Sequence, residues 1–492
     1  MRQIVLTPQE AVEIEKEFRV VKRSVDARQK QLRVILTILD EGDVVDPTTA
    51  PLLDERQKPL DGEAIIVGAG PAGLFAALTL LRYGIKPIIL ERGKEVSERK
   101  KDIALLNRNE GLNPESNYCF GEGGAGTFSD GKLFSRSKKR GDMQQVMEVL
   151  HYFGAPDRIL YETHAHIGSD KLPSIIRRIR EYIIERGGEI HFGCRVKSLN
   201  QVEGPLRSKT KDKRLPVILA IGHSAHDTYR MLAQEGVAME AKGCAMGVRV
   251  EHPQALINDL MYHHPSPELV SLVGNAAYSL VTQIGGRGVY SFCMCPGGHI
   301  VPAGSERQQG VVNGMSASHR NSPYANSGIV VQLPFEGDAL AALEYQQKLE
   351  YTSWAQANTD PDGELRPAQR LQDFVLRRES TSLPPCSYLP GLTPSRLDQW
   401  LPAEISYRLQ EGFKNFDKQY RGFVTNTALI VGVESRTSSP IRLLRDRDKL
   451  CSLSHNWLYP CGEGAGYAGG ITSSALDGIK AATALAQNHF GR

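Results

Sequence analysis

Three glycines in the run GAGPAG (Gly68, Gly70 and Gly73), with an acid, Glu91, eighteen residues beyond the last, have the types and spacing to hold a dinucleotide. Gly68 permits a tight turn, Gly70 lets the backbone approach a pyrophosphate, and Gly73 lets helix and strand pack closely. Pro71 and Ala72 lie between them, at the start of a helix whose free amides and partial positive charge suit phosphates. Glu91 can accept hydrogen bonds from ribose hydroxyls, and Arg92 follows it. The flanking elements fit the task. Glu63–Val67 (EAIIV) reads as a buried strand, and Leu74, Ala77, Leu78 and Leu81 share one helix face that Gly84 can end. Lys86–Leu90 (KPIIL) then reads as a second strand with the acid at its tip.

The remaining chain must position and complete this site. Its 492 residues suffice for two or three domains with a sizeable core. With 41% hydrophobic and 23% charged residues it reads as an ordinary globular chain. A net charge of +3 provides no global field toward nucleic acid. Two basic runs, Lys132–Arg140 and Arg207–Arg214, read as solvated loops. No apolar stretch approaches the span of a bilayer, and the first residues lack the apolar core of a secretory signal. Eight cysteines scattered without a framework favour a reducing compartment, so a cytoplasmic location is expected.

The pattern predicts an α/β fold: a split Rossmann-type domain, an inserted mixed α/β cap and a small N-terminal α/β domain. Residues 1–60 form the small domain, with a helix over Pro8–Phe18, a strand over Arg33–Leu39 and a turn-rich link over Asp46–Gly62. Residues 61–235 hold the first part of the cofactor domain. There Leu172–Gly187 reads as a helix, Glu189–Val196 and Pro216–Gly222 as strands, and about Asp227 to Gln234 as a helix. Residues 236–422 read as the inserted cap, with strands at Gly247–Glu251 and Gly328–Leu333. Residues 423–492 return to the cofactor domain through strands at Leu429–Val433 and Trp457–Cys461 and a helix from Ile471 to Asn488.

Leu458–Ala482 carries the second half of the site: a strand end at Cys461–Gly462, an acid at Glu463, and the pair Gly469–Gly470 opening a helix at Ile471. This resembles flavoproteins of the glutathione-reductase-like superfamily. There an acid in this place binds the ribityl chain or pyrophosphate, and the helix points its N-terminus at the flavin pyrimidine edge. The physics suits it, because reduced flavin is anionic near N1 and O2 and helix amides stabilise such charge. Leu219–Gly222 resembles the superfamily's Ala-Thr-Gly strand end, with Ile221 in place of threonine, which implies contacts from Ala220 and Gly222; Val196 stands where the superfamily places a backbone contact to adenine.

Longer motifs sharpen the resemblance: KRSVDAR at Lys22–Arg28, FGEGGAGTFSDGKL at Phe120–Leu133, HIGSDKL at His166–Leu172, SFCMCPGG at Ser291–Gly298, NGMSASHRNSPYANSGIVV at Asn313–Val331 and GVESRTSSP at Gly432–Pro440. Through nearly its whole length the chain is similar to the FAD-dependent dehydrogenase-type proteins of bacteria and plastids, a family largely without assigned substrates. The resemblance implies a single FAD, with Gly123, Gly124, Ala125, Gly126 and Thr127 beside the flavin or its pyrophosphate, and Arg99 as a further pyrophosphate contact. Such a glycine run also exposes consecutive amides that suit an anion or a flat ring edge. One departure from the family is the short segment Lys197–Leu215, where relatives carry a longer β meander near adenine.

Several residues could carry chemistry, each beside a structural reading. Cys293 and Cys295 would share a strand face, as a redox dithiol or as small buried thiols. A flavin disulfide reductase would place its cysteine pair after the Rossmann acid, and residues 92–118 hold none. His166 reads as a general base or a hydrogen-bonded structural histidine. His223 and His226 follow the glycine strand end; His263 and His264 read as exposed. No metal site is expected. Arg249 and Arg436 read as anchors for an anionic substrate, or, for Arg436, as half of a buried ion pair with Glu434 or another acid. Gly285–Gly288 lacks the context of a second dinucleotide fingerprint, so NAD(P)H would act only as a transient donor.

These readings lead to an FAD-dependent oxidoreductase of dehydrogenase type, exchanging electrons with a small-molecule substrate or acceptor and having no stable nucleic-acid partner or membrane span. A single-Rossmann monooxygenase, a nucleic-acid-associated flavoprotein and a non-catalytic flavoprotein remain alternatives.

Overall fold

The computed structural model describes residues 1–40, 43, 52–53, 59–134, 141–200 and 214–492. Most of the Asp46–Gly62 link, the end of the first basic run and nearly all of the second, with the bulk of the 197–215 segment, lie outside the described residues.

The cofactor domain is built on a five-stranded parallel sheet ordered Leu458–Pro460, Val217–Leu219, Glu63–Val67, Lys86–Leu90 and Glu189–His191. Strands buried on both faces should be apolar without alternation, and Ala64 through Val67 all are. Ile66, Ile89 and Ile218 face a core shared with the helices Pro71–Arg82, Leu172–Glu185 and Ile471–Phe490. Ile65, Val67, Ile88 and Leu219 face the opposite core, which includes Tyr229 and Leu232 of the helix His226–Gln234. The outer strand of this sheet thus comes from residues close to the C-terminus.

The cap is a seven-stranded sheet ordered Val281–Ile284, Arg287–Cys295, Tyr324–Leu333, Cys244–Pro253, Leu429–Glu434, Arg366–Arg370 and Leu392–Pro394. Its pairs are antiparallel except the last. The helices Gln254–Tyr262 and Ala403–Gln419 cover an apolar face. The glycine run at Gly285–Gly286 is a two-residue hairpin turn, both residues at positive φ, which is a backbone role and not a phosphate loop. The N-terminal unit is a three-stranded antiparallel sheet, Arg2–Leu6, Arg33–Ile38 and Val20–Asp26, with the helix Pro8–Glu17 started by a Thr7–Glu10 capping box. Among the described residues no helix is long and apolar enough to cross a membrane.

Three expectations are corrected. Leu429–Glu434 pairs inside the cap sheet, between Cys244–Pro253 and Arg366–Arg370, so the chain re-enters the cofactor sheet only at Leu458–Pro460 and not from residue 423. A short apolar run states that it is buried but not in which sheet. The strand expected to Val196 ends at His191, because Gly193 turns the chain at φ +65° and the Cys194 amide bonds the Glu91 carbonyl. The strand expected over Pro216–Gly222 spans only Val217–Leu219.

Candidate functional site

Gly68 and Gly73 have the steric roles that their spacing suggests. A Cβ on Gly73 would stand 1.9 Å from the Gly68 carbonyl oxygen, and one on Gly68 would stand 2.3 Å from that of Ala220. The turn therefore closes only with glycine. Gly70 then caps the helix Pro71–Arg82 with no side chain on its amides. The helix Ile471–Phe490 begins the same way, at Gly470, again without a capping side chain. Helix amides left open at two ends are vacant donors.

Both ends face one cavity of about 390 Å³. Gly68, Gly70, Pro71, Ala72, Glu91 and Arg92 line one side, with Gly124, Ala125 and Gly126 beside them. Val196, Ala220 and Gly222 line another part, and Gly462, Glu463, Gly469, Gly470 and Ile471 close it from the C-terminal segment. The cap contributes Phe292, Cys293, Asn313 and Arg436. The structure thus brings together the residues expected from the two distant motifs. Gly73, Gly123, Thr127 and Arg99 stand behind this wall. Gly123 bonds Ala69 and is the left-handed residue that lets the loop turn, and the Thr127 hydroxyl donates to the Glu122 carbonyl.

Arg99 is not a cavity residue. Fully buried, it donates to the carbonyls of Asn117, Glu122 and Tyr118 at 2.8, 2.7 and 3.0 Å, and so shapes the loop leading to the glycine run. Burial lowers its pKa to about 10, against nearby acids that raise it.

The Glu91 carboxylate accepts the amides of Ala69 (2.8 Å), Gly93 (2.8 Å) and Gly121 (3.0 Å). It ties the glycine turn to two loops. A carboxylate has room for about four such bonds, so about one site remains for a ribose hydroxyl. Arg92 lies over Phe120 at 3.9 Å and is paired with Glu115 and Asp227 at 3.1 and 3.0 Å. His223 also lines the cavity, 3.3 Å from the Glu463 carboxylate, whereas His226 is buried against Gln347. His263 and His264 are exposed.

The catalytic candidates separate. His166 lies away from the cavity, with Nε2 3.2 Å from the Ser318 carbonyl and Nδ1 unpartnered. Burial, helped by Arg320, lowers its pKa to about 4, so it is neutral near pH 7. Arg249 is buried in the cap sheet, bound to Glu434 (2.9 Å), Asn326 (2.8 Å) and the Cys293 carbonyl (2.8 Å). It does not reach the cavity as a free anchor. Arg436 does line the cavity, but its acid is Glu350 and not Glu434. Two 2.9 Å bonds join them, with Gln309 and Ser305 at 2.6 and 2.9 Å. These partners occupy its fork, so it presents no unengaged guanidinium to a substrate.

Sequence reading missed Lys132. It was placed in a solvated basic loop, yet it lines the cavity with Nζ 3.1 Å from Asp130 and 3.5 Å from the Cys295 sulfur. Asp130 is also held by Arg320 at 2.6 Å, and both cations outweigh burial to keep its pKa low. The signal lay in SDGKL directly after the glycine run, overshadowed by the basic tail that follows. Among the described residues no cluster suited to a metal is present.

Residues 61–214 match the model of an FAD binding domain, and residues 243–437 match that of an FAD-dependent protein, C-terminal domain-like. An uncharacterized protein of Clostridium beijerinckii is 40% identical over 493 residues, covering 94% of this chain and 91% of its own. Among solved structures, a flavoprotein/dehydrogenase from Cytophaga hutchinsonii aligns at 10% identity and TM-score 0.35, over 88% of this chain and 80% of that one. A variant of the halogenase PltM in complex with FAD aligns at 12% identity and TM-score 0.34, over 87% and 70%. Both structural likenesses are loose.

Proposed function

Because the chain belongs to this family of FAD-dependent proteins and takes FAD as cofactor, we propose that it is an oxidoreductase of the dehydrogenase type, passing electrons between a small-molecule substrate and the flavin. FAD, when bound, supplies the redox chemistry itself.

The observation that carries the reading is the shared cavity: two uncapped helix ends, from residues 70–73 and 470–473, open into one space with the cap strands as its remaining wall. In this reading the amides of Ala72, Ala125 and Gly126 meet the pyrophosphate. Glu91 uses its remaining acceptor site for the ribose, and the Val196 backbone meets adenine. Gly469, Gly470 and Ile471 then lie at the pyrimidine edge, where helix amides favour the charge of reduced flavin. Glu463, oriented by His223, faces the ribityl chain or pyrophosphate. Phe292 and Cys293 form the cap side of the reacting space and exclude water from it. NAD(P)H fits as a transient donor from solution. The eight unpaired cysteines favour a reducing, cytoplasmic setting.

An anaerobic screen of electron donors, including NADH and NADPH, tests this by bleaching of the flavin band. A donor that reduces the flavin within seconds supports a dehydrogenase. Stoichiometric oxygen use with a hydroxylated product would replace it with a monooxygenase, and failure of every donor would leave a non-catalytic flavoprotein.

A further inference from the structure

Three of the other cysteines, Cys244, Cys451 and Cys461, are ordinary buried thiols. Cys244 and Cys461 lie in apolar surroundings, and burial pushes the Cys244 thiol up to about 12. Cys293 and Cys295 have a different environment. They end the cap strand Arg287–Cys295, where the register against Tyr324–Leu333 slips between Phe292 and Cys295. Cys293 sits in that bulge at φ +48°, a left-handed conformation that a side chain adopts only at a cost. The bulge puts Cys293 in the cavity wall and leaves Cys295 fully buried behind it.

One ammonium serves both sulfurs. Lys132 Nζ is 3.5 Å from Cys295 Sγ and 3.9 Å from Cys293 Sγ, and Asp130 holds it from the other side at 3.1 Å. The Lys132 backbone is pinned by a bridge to His166. Arg249 adds a second cation, 3.6 Å from Cys295 Sγ, with Glu434 as its counter-ion. The groups facing the two thiols are therefore Lys132, Arg249, Asp130 and Glu434, with Arg320 beyond Asp130.

We propose that Cys293 and Cys295 form a redox-active dithiol that exchanges two electrons with the flavin, Cys293 being the thiolate exposed to the cavity and Cys295 the resolving thiol behind it. This rests on the FAD reading of the same cavity. Thiolate and thiol together release two electrons and one proton as the Sγ–Sγ bond forms, and oxidised flavin takes up the same two electrons and one proton. The reverse direction returns them. The electrostatics agree. The hydrogen bond from Cys295 lowers the Cys293 pKa most, burial opposes it, and Lys132 and Arg249 lower it further, while Cys295 is raised. Small thiols placed only to fill a core would need no ammonium within 4 Å of both sulfurs.

Oxidised holoprotein, titrated anaerobically with dithionite while parallel samples are acid-quenched, alkylated and digested, tests the proposal. The wild type takes up about two electron pairs per FAD and Cys295→Ser about one. The wild-type peptide with both cysteines resists alkylation before the titration and is doubly alkylated after it. In Lys132→Met the pH at which Cys293 alkylates rises by about one unit or more. A wild type that takes up one pair per FAD, or whose two cysteines alkylate freely in the oxidised holoprotein, overturns the proposal. A preparation that binds no flavin sinks the cofactor placement instead. In that case the apoprotein equilibrated in glutathione buffers still decides whether the Cys293–Cys295 disulfide forms.

Discussion

Single residues in this protein act mostly through the backbone they hold. Glu91 was legible from its spacing after the glycines, but its three backbone partners were not, because they come from loops whose paths no local pattern specifies. Glu91→Ala strands three buried amides, and we expect a loss of about 3 kcal/mol or more in denaturant unfolding together with loss of FAD, whereas Glu91→Gln should keep part of both. The arginines teach the same lesson: Arg249 and Arg436 read as anchors for an anion and Arg99 as a pyrophosphate contact, yet charge alone could not choose Glu434, Glu350 and backbone carbonyls as their partners. Buried histidines predict the response to acid. Burial lowers His166 and His252 to about 4 and drives His226 well below 6.5. Their folded pKa values lie under the unfolded value of 6.5, so the unfolded chain binds more protons in between. Stability is then fully present above about pH 6.5 and lost as the pH falls toward 4, by roughly 2–3 kcal/mol each for His166 and His252 at the low end. Denaturant midpoints measured from pH 7.5 down to 4.5 should decline; a flat profile would contradict the neutral burial of these rings.

At the scale of elements, the strand–turn–helix–strand core was readable because its periodicity and glycines agree at every level. The membership of Leu429–Glu434 was not, since an apolar hexamer suits either sheet. The N-terminal hairpin partners Arg2–Leu6 and Val20–Asp26 also escaped notice, their half-exposed faces giving weak alternation. Helix packing yields a sharp contrast between two glycines of the C-terminal segment. A Cβ on Gly478 would lie 2.1 Å from the Ala72 carbonyl oxygen, where the helices Pro71–Arg82 and Ile471–Phe490 cross, while one on Gly469 meets nothing within 4 Å. Gly478→Ala should cost about 2 kcal/mol or more by forcing the helices apart, and should weaken FAD retention by moving both helix ends. Gly469→Ala should stay within about 0.5 kcal/mol of the wild type in the same melts.

Over the whole molecule, the sheet is completed by residues nearly four hundred positions from its first strand, and the cavity is complete only when the glycine-turn region, the segment from Cys461 to Ser474 and the cap are in place. A ligand bound across such a junction stabilises the folded state by mass action, so removing FAD should lower the melting temperature by several degrees and restoring it should reverse the loss. The most direct test of this account is to release and quantify the cofactor from folded, purified protein by acid denaturation and chromatography. About one FAD per chain, retained through gel filtration and regained by the apoprotein from added FAD, is the result expected. Folded protein that emerges colourless and takes up no added FAD would contradict it.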